Sequence, residues 1–272
     1  MTRLPVKKTY KLFVGGEFPR SESGRTYEAE EQNVARGSRK DLRDAVRAAR
    51  GAFPKWAGMT AYNRGQVLYR IAEMMEARRS EFADLCSGPK EVDRSIDRFV
   101  WYAGFADKLA QVIGSSNPVA GPYFNFTLPE PQGVVGILAP DEPALAGLVS
   151  RLAPAIVGGN AVVAVTSETH PLAAIELAEA LATADVPGGV VNILTGLREE
   201  LAPWLAGHMD VNAIDATGVP ADLVARVDEL AAENVKRVHR GPDADPFSAA
   251  AQGPYEITAL MEFKTVWHPM GA

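Results

Sequence analysis

The sequence predicts an α/β protein: a doubly wound parallel sheet with helical N-terminal elements and a small β arm. Three observations carry this expectation. Between residues 133 and 239, five apolar runs alternate with four helical stretches, the pattern of parallel strands joined by crossover helices. Residues 38–113 carry a helical period. After a stretch rich in Gly, Pro and Ala at 241–254, the chain returns to strand-like alternation.

Composition narrows the classes. The 272 residues are 47% apolar and 23% charged, with a net charge of −6, enough to bury a full core. That charge offers no general field for nucleic acid or an anionic membrane, so neither is expected as a partner. A single cysteine excludes a disulfide framework and a Cys-based zinc site. The histidines (His170, His208, His239, His268) show no metal-ligand spacing, so no metal is expected. The N-terminal stretch has no apolar segment of the secretory kind, and no run nears ~18 apolar residues. A cytoplasmic, soluble protein is the expectation.

Taken in order, residues 10–18 read as strand, Gly15-Gly16 turn and strand, a short hairpin. Ser38 with Asp41 resembles a capping box, and Leu42, Ala45, Val46, Ala49 and Phe53 follow at helical spacing, with Pro54 ending the helix or starting its exit. A second helix starts near Thr60 and carries Val67, Leu68, Ile71 and Met75. A third spans about 93–113, dense in aromatics. The run 133–139 is apolar throughout, as a strand covered on both faces should be. A helix at 143–157 follows, then strand 161–165, a helix from Pro171 to Thr183, and strand 190–195. A short helix near 199–207, strand 211–215, a helix at 220–233 and strand 235–239 complete the set. Ligands of such sheets sit beyond the carboxyl ends of the strands. Residues 241–254 read as linker. In 256–268, Ile257, Ala259, Met261, Phe263 and Trp267 alternate on one face of a terminal strand. Residues 123–128, with Phe124, Phe126 and Leu128, are the candidate pairing partner, since a lone apolar strand is a hazard.

The segments KLFVGGEF, DLRDAVRAARGAFPKWAGM, WYAGFADKL, PEPQGVVGILAP, APAIVGGNAVV, ADVPGGVVNILTG, HMDVNAI and FKTVWHP, in this order, resemble the NAD(P)-dependent aldehyde dehydrogenase superfamily. The resemblance implies a Rossmann-like NAD(P)-binding domain at 1–121 and 132–240, and a β oligomerisation arm at 122–131 and 255–272. Between them the family expects a catalytic domain with a nucleophilic cysteine. The 241–254 linker stands in its place.

The family's chemistry needs a thiolate, an amide donor at the developing oxyanion and a carboxylate base. The only thiol, Cys86, falls by resemblance in a peripheral helix and reads as a packed hydrophobe. Glu142 stands where the family carries the amide. The region expected to supply the base reads Arg240-Gly241. No catalytic residue is therefore assigned.

The resemblance implies NAD or NADP at Ala139, Pro140, Glu168 and Gly218. Of the ribose-binding segment Glu168 is kept, while Val165 replaces the lysine. Arg198 and Leu223 replace glycines of the phosphate-facing loops, and their bulk would crowd a pyrophosphate. These residues either close turns or retain weak nucleotide binding. Adjacent carboxylates (Asp141-Glu142, Glu199-Glu200) read as solvated charges. The resulting expectation is a subunit inactive by itself, structural or regulatory, joined through its arm to a full-length aldehyde dehydrogenase or to itself. The alternatives are an NAD(P)-dependent oxidoreductase acting on an aldehyde, and a relic with no selected role.

Overall fold

The computed structural model describes residue 4, residues 6–242 and residues 244–271. Residues 1–3, 5, 243 and 272, which the sequence assigns to the first domain, the linker and the arm, lie outside the described residues.

The chain opens with β1 (Thr9–Tyr10), β2 (Thr26–Ala29) and β3 (Gln32–Ala35), a small sheet in the order β1-β3-β2. Gly15 and Gly16, both with positive φ, make the expected two-residue turn. That turn closes on a single bridge, Val14 to Glu17. The adjoining Phe13 bridges Ile193 of the main sheet instead, so the segment is stitched to the core and is no free hairpin.

Helices α1 (Arg39–Ala57), α2 (Ala61–Ala77), α3 (Arg79–Asp84), α4 (Pro89–Phe105) and α5 (Leu109–Ile113) follow. Ser38 and Asp41 form the capping box. Pro54 does not end α1. The helix runs on to Ala57 because Trp56 is fully buried and its indole N–H donates to Ile156 O at 2.9 Å. The third sequence-read helix begins earlier than residue 93, with Pro89 at its first turn. It tightens into a 3-10 turn at Ala106–Lys108 before α5.

The central sheet is parallel, in the order β10-β9-β6-β7-β8. Its members are β6 (Val134–Leu138), β7 (Ala161–Val165), β8 (Val191–Leu194), β9 (Ala213–Asp215) and β10 (Arg237–His239). They alternate with α6 (Ala144–Val157), α7 (Leu172–Thr183), α8 (Arg198–Ala206) and α9 (Val224–Ala232). Alternate strand residues feed two separate cores. Val135, Ile137, Val162 and Ile193 pack with α2, α4, α6 and α7. Val134, Leu138, Val163 and Leu194 pack with α1, α8 and α9. Burial on both faces explains the unbroken apolar runs.

The last part corrects where the terminal strand begins. Within 241–254, Ala249–Ala251 form a 3-10 turn, and α10 (Pro254–Thr258) follows. Arg98 donates to the carbonyls of Pro246 and Ser248, and the Tyr102 hydroxyl accepts from Gly253 N. The terminal strand, β11 (Met261–Pro269), starts five residues later than the alternation suggested. Residues 256–258 are helical because Pro254 opens a turn, and Ile257 is buried against α6.

Strand β11 pairs antiparallel with β5 (Tyr123–Pro131) over nine residue pairs, and β4 (Ser115–Asn117) adds a third strand on the far side. The register places Trp267 opposite Asn125 and Val266 opposite Phe126. Phe263 and Trp267 therefore share a face with Tyr123, while Phe124, Phe126 and Leu128 lie on the other, because side chains alternate along a strand. The arm is apolar on both faces rather than one.

Candidate functional site

The order β10-β9-β6-β7-β8 reverses direction between β6 and β9, which are neighbours. The crevice beyond their carboxyl ends is where an open α/β sheet takes its ligand. The four residues assigned to a coenzyme come together around it: Ala139 and Pro140 after β6, Gly218 after β9, and Glu168 after β7.

Each is engaged within the chain. Gly218 N donates to Leu138 O at 2.8 Å, and a Cβ on Gly218 would stand 2.1 Å from Ala139 O. The glycine lets two loops touch, which leaves no opening between them. Arg198, the first residue of α8, lies buried across this junction at 4% exposure. Its guanidinium donates to Asp141 Oδ2 at 2.7 Å, to Gly218 O at 3.0 Å, and to Ala139 O. Burial pulls Arg198 below its ordinary pKa, opposed by Asp141 and Glu168. Its Nε has no partner. Asp141 Oδ1 also accepts from Ser167 Oγ and Glu168 N, each at 3.0 Å, joining the β6 and β7 loops.

The helix ends at the crevice, which bind anions when free, are occupied too. Glu168 accepts from Arg198 N at 2.9 Å, at the start of α8. The start of α6 has no local side-chain cap. Instead Glu91, reaching over from α4 at 1% exposure, accepts from Leu145 N at 2.8 Å and Ala146 N at 3.0 Å. A pyrophosphate would meet two carboxylates and a filled junction. Val165 is buried apolar core. The residues as arranged do not fit a dinucleotide.

Cys86 donates to Gly88 O at 3.6 Å, and burial pushes its thiol up to about 11. It lines a cavity of about 510 Å³ with Glu91, Glu142 and His170. A thiol at that value is almost wholly protonated at neutral pH. Glu142 points outward, its side chain 80% exposed and 3.4 Å from His170. Arg240 pairs with Asp228 on the surface, and Leu223 ends a 3-10 turn packed on the core.

Sequence reasoning missed one cluster. Asp215 and His239 end adjacent strands in register, which two polar residues closing neighbouring apolar runs could have signalled. Arg151, buried on α6, reaches Glu256 of α10 at 2.5 Å and Asp215 at 3.7 Å, and His239 lies 3.3 Å from Glu256. Burial alone would raise the Glu256 carboxyl, but His239 and Arg151 hold it below its ordinary value. The cluster clamps α10 to the sheet. A larger groove, about 1160 Å³, lies away from the crevice beside Arg39, Trp204 and Arg226. Arg39 stacks on Trp204 there at 3.9 Å.

Comparison with known proteins agrees with this architecture. The model described as the aldehyde dehydrogenase family matches residues 26–240. Cytosolic aldehyde dehydrogenase 1 of Elephantulus edwardii is 33% identical over 259 residues, covering 88% of this chain and 51% of that relative. Omega-crystallin of Nototodarus sloanii is 29% identical over 255 residues, covering 87% and 51%. The NAD+ complex of an aldehyde dehydrogenase from Bacillus cereus superimposes with a TM-score of 0.78 at 27% identity, covering 85% of this chain and 50% of that one. The chain thus spans about half the length of these relatives.

Proposed function

The chain belongs to the aldehyde dehydrogenase family, and on that premise we propose that it has no catalytic activity of its own and serves as a structural or regulatory subunit, joining a full-length aldehyde dehydrogenase through its β arm. The observation that carries the proposal is β11. Its residues from Glu262 onward are exposed, including Phe263 (45%) and Trp267 (58%), at the outer edge of a three-stranded sheet. An apolar edge strand of this length invites another strand. Main-chain hydrogen bonds would supply affinity and side-chain alternation the register.

The rest of the molecule supports the reading by what it has closed. Arg198 and Gly218 fill the crevice, Glu91 and Glu168 hold the helix ends, and the only cysteine carries a raised pKa. Meanwhile Arg237 donates to the carbonyls of Ala259 and Met261 and pairs with Glu262 at 3.0 Å, fixing the point where β11 leaves the body. A docking strand held at its root loses less freedom on binding.

The test is co-purification of the tagged chain from its native cells, with and without residues 262–272. This deletion spares α10, whose Ile257 and Glu256 belong to the body. A full-length aldehyde dehydrogenase held by the intact chain and lost on deletion supports the proposal; equal capture by both overturns it. Aldehyde-dependent NADH formation by the purified chain would favour the oxidoreductase alternative.

A further inference from the structure

The chemistry of β11 is symmetric about Thr265, and we infer that in the absence of another partner the strand pairs antiparallel with β11 of a second copy. This rests on the reading of β11 as a docking edge and adds an occupant that reading does not supply. Met270 N donates to Pro122 O at 2.8 Å, so the even-numbered residues of β11 are those whose backbone groups turn towards β5. The N–H and C=O of Phe263, Thr265 and Trp267 therefore turn outward, and no described residue bonds them.

A two-fold axis through Thr265 satisfies this parity. Thr265 meets Thr265 of the second copy, and Phe263 meets Trp267 twice, so all three outward residues of each strand meet outward residues of the other. On one face the two Phe263–Trp267 contacts join Tyr123, whose ring already lies 5.7 Å from Trp267. On the other face Glu262 stands opposite His268 of the second copy, again twice, and Lys264 opposite Val266. Aromatic pairs facing each other across strands are favourable, and an imidazole N–H can donate to a carboxylate placed opposite it. Pro269, which has no N–H, ends the pairing at Met261. The result is one six-stranded sheet, β4-β5-β11 continued by its symmetry mate. Its register differs from any in which the strand joins an unrelated one, because only a two-fold places residue 265 against itself.

The contact is small, so a Kd of order ~10 µM is the expected scale. The same edge cannot hold two occupants, so a full-length partner and the second copy exclude one another.

The experiment is light scattering of the purified full chain across a concentration series up to ~200 µM, well above that Kd. The expected result is a rise from 29.2 kDa towards twice that mass. Thr265→Pro removes an outward N–H and the Thr127–Thr265 hydroxyl bond while sparing every inward backbone bond, and is expected to stay monomeric. His268→Glu places like charges opposite and is expected to weaken the dimer about tenfold, whereas His268→Lys keeps it. A wild type that stays monomeric, or a dimer unaffected by both Thr265→Pro and His268→Glu, overturns the inference. Loss of full-length partner capture on deleting 262–272, in a chain monomeric by itself, would overturn the self-pairing alone and leave the proposed function standing.

Discussion

Replacing Arg198 by methionine removes the guanidinium at the crevice while keeping a long side chain of good helical propensity. Three acceptors lose a donor: the carbonyls of Ala139 and Gly218 and the carboxylate of Asp141. Each buried carbonyl left without a partner costs about 1–3 kcal/mol. The Asp141 side chain is 43% exposed, so water replaces most of that pairing, and its share stays below ~1 kcal/mol. Against this, the variant no longer buries a charge with an unpartnered Nε, which returns about 1 kcal/mol. The net expectation is a destabilisation of about 3 kcal/mol. At ~2.1 cal/mol/K per residue, that lowers Tm by about 5 °C for a chain of this length. Thermal unfolding of the two proteins reads it directly. The wild type should show no rise in Tm with NADH or NADPH, although saturating binding at 100 times Kd would add ~2.7 kcal/mol. An Arg198→Met chain as stable as the wild type, or a wild type stabilised by dinucleotide, would refute the reasoning.

Other consequences follow from single groups. Cys86, with its thiol near 11, should react with iodoacetamide at pH 8 on the order of 10²-fold more slowly than a free thiol, because its thiolate fraction is lower by that factor; mass spectrometry over time measures it. Glu256 has a folded pKa below its ordinary 4.5, so its contribution to stability is present above that pH and is lost as the pH falls through the folded value. Tm between pH 6 and 3 should therefore fall more steeply for the wild type than for Glu256→Gln. Glu91→Ala strips the cap from α6 and leaves Ser87 N and Oγ, Leu145 N and Ala146 N without their acceptor. Chemical denaturation should show a loss of ~3 kcal/mol, with Glu91→Gln losing less.

The central sheet was legible because strands buried on both faces must be apolar throughout, and Val134–Leu138 and Ala161–Val165 are. The cap at Ser38 was legible because it is local: Ser38 and Asp41 bond each other. Long-range partners were not. Nothing near α6 in sequence announces that Glu91, more than fifty residues earlier, caps it. In sequence Arg198 reads as bulk in a phosphate loop, but its bonds to Ala139 and Gly218 depend on strand order. β11 starts later than the alternation suggests because Ile257 and Met261 fit a strand period and a helical one equally well, four residues apart on α10 and its exit. The two apolar faces of the arm were hidden for a simpler reason: register sets which face a residue takes, and register is not written in either strand alone.

The most direct test mixes the purified chain with a purified full-length aldehyde dehydrogenase from the same cells and weighs the product by native mass spectrometry. The account predicts a mixed oligomer containing both chains, absent when residues 262–272 are removed. The two proteins remaining separate, or a mixed oligomer that forms without those residues, would contradict it.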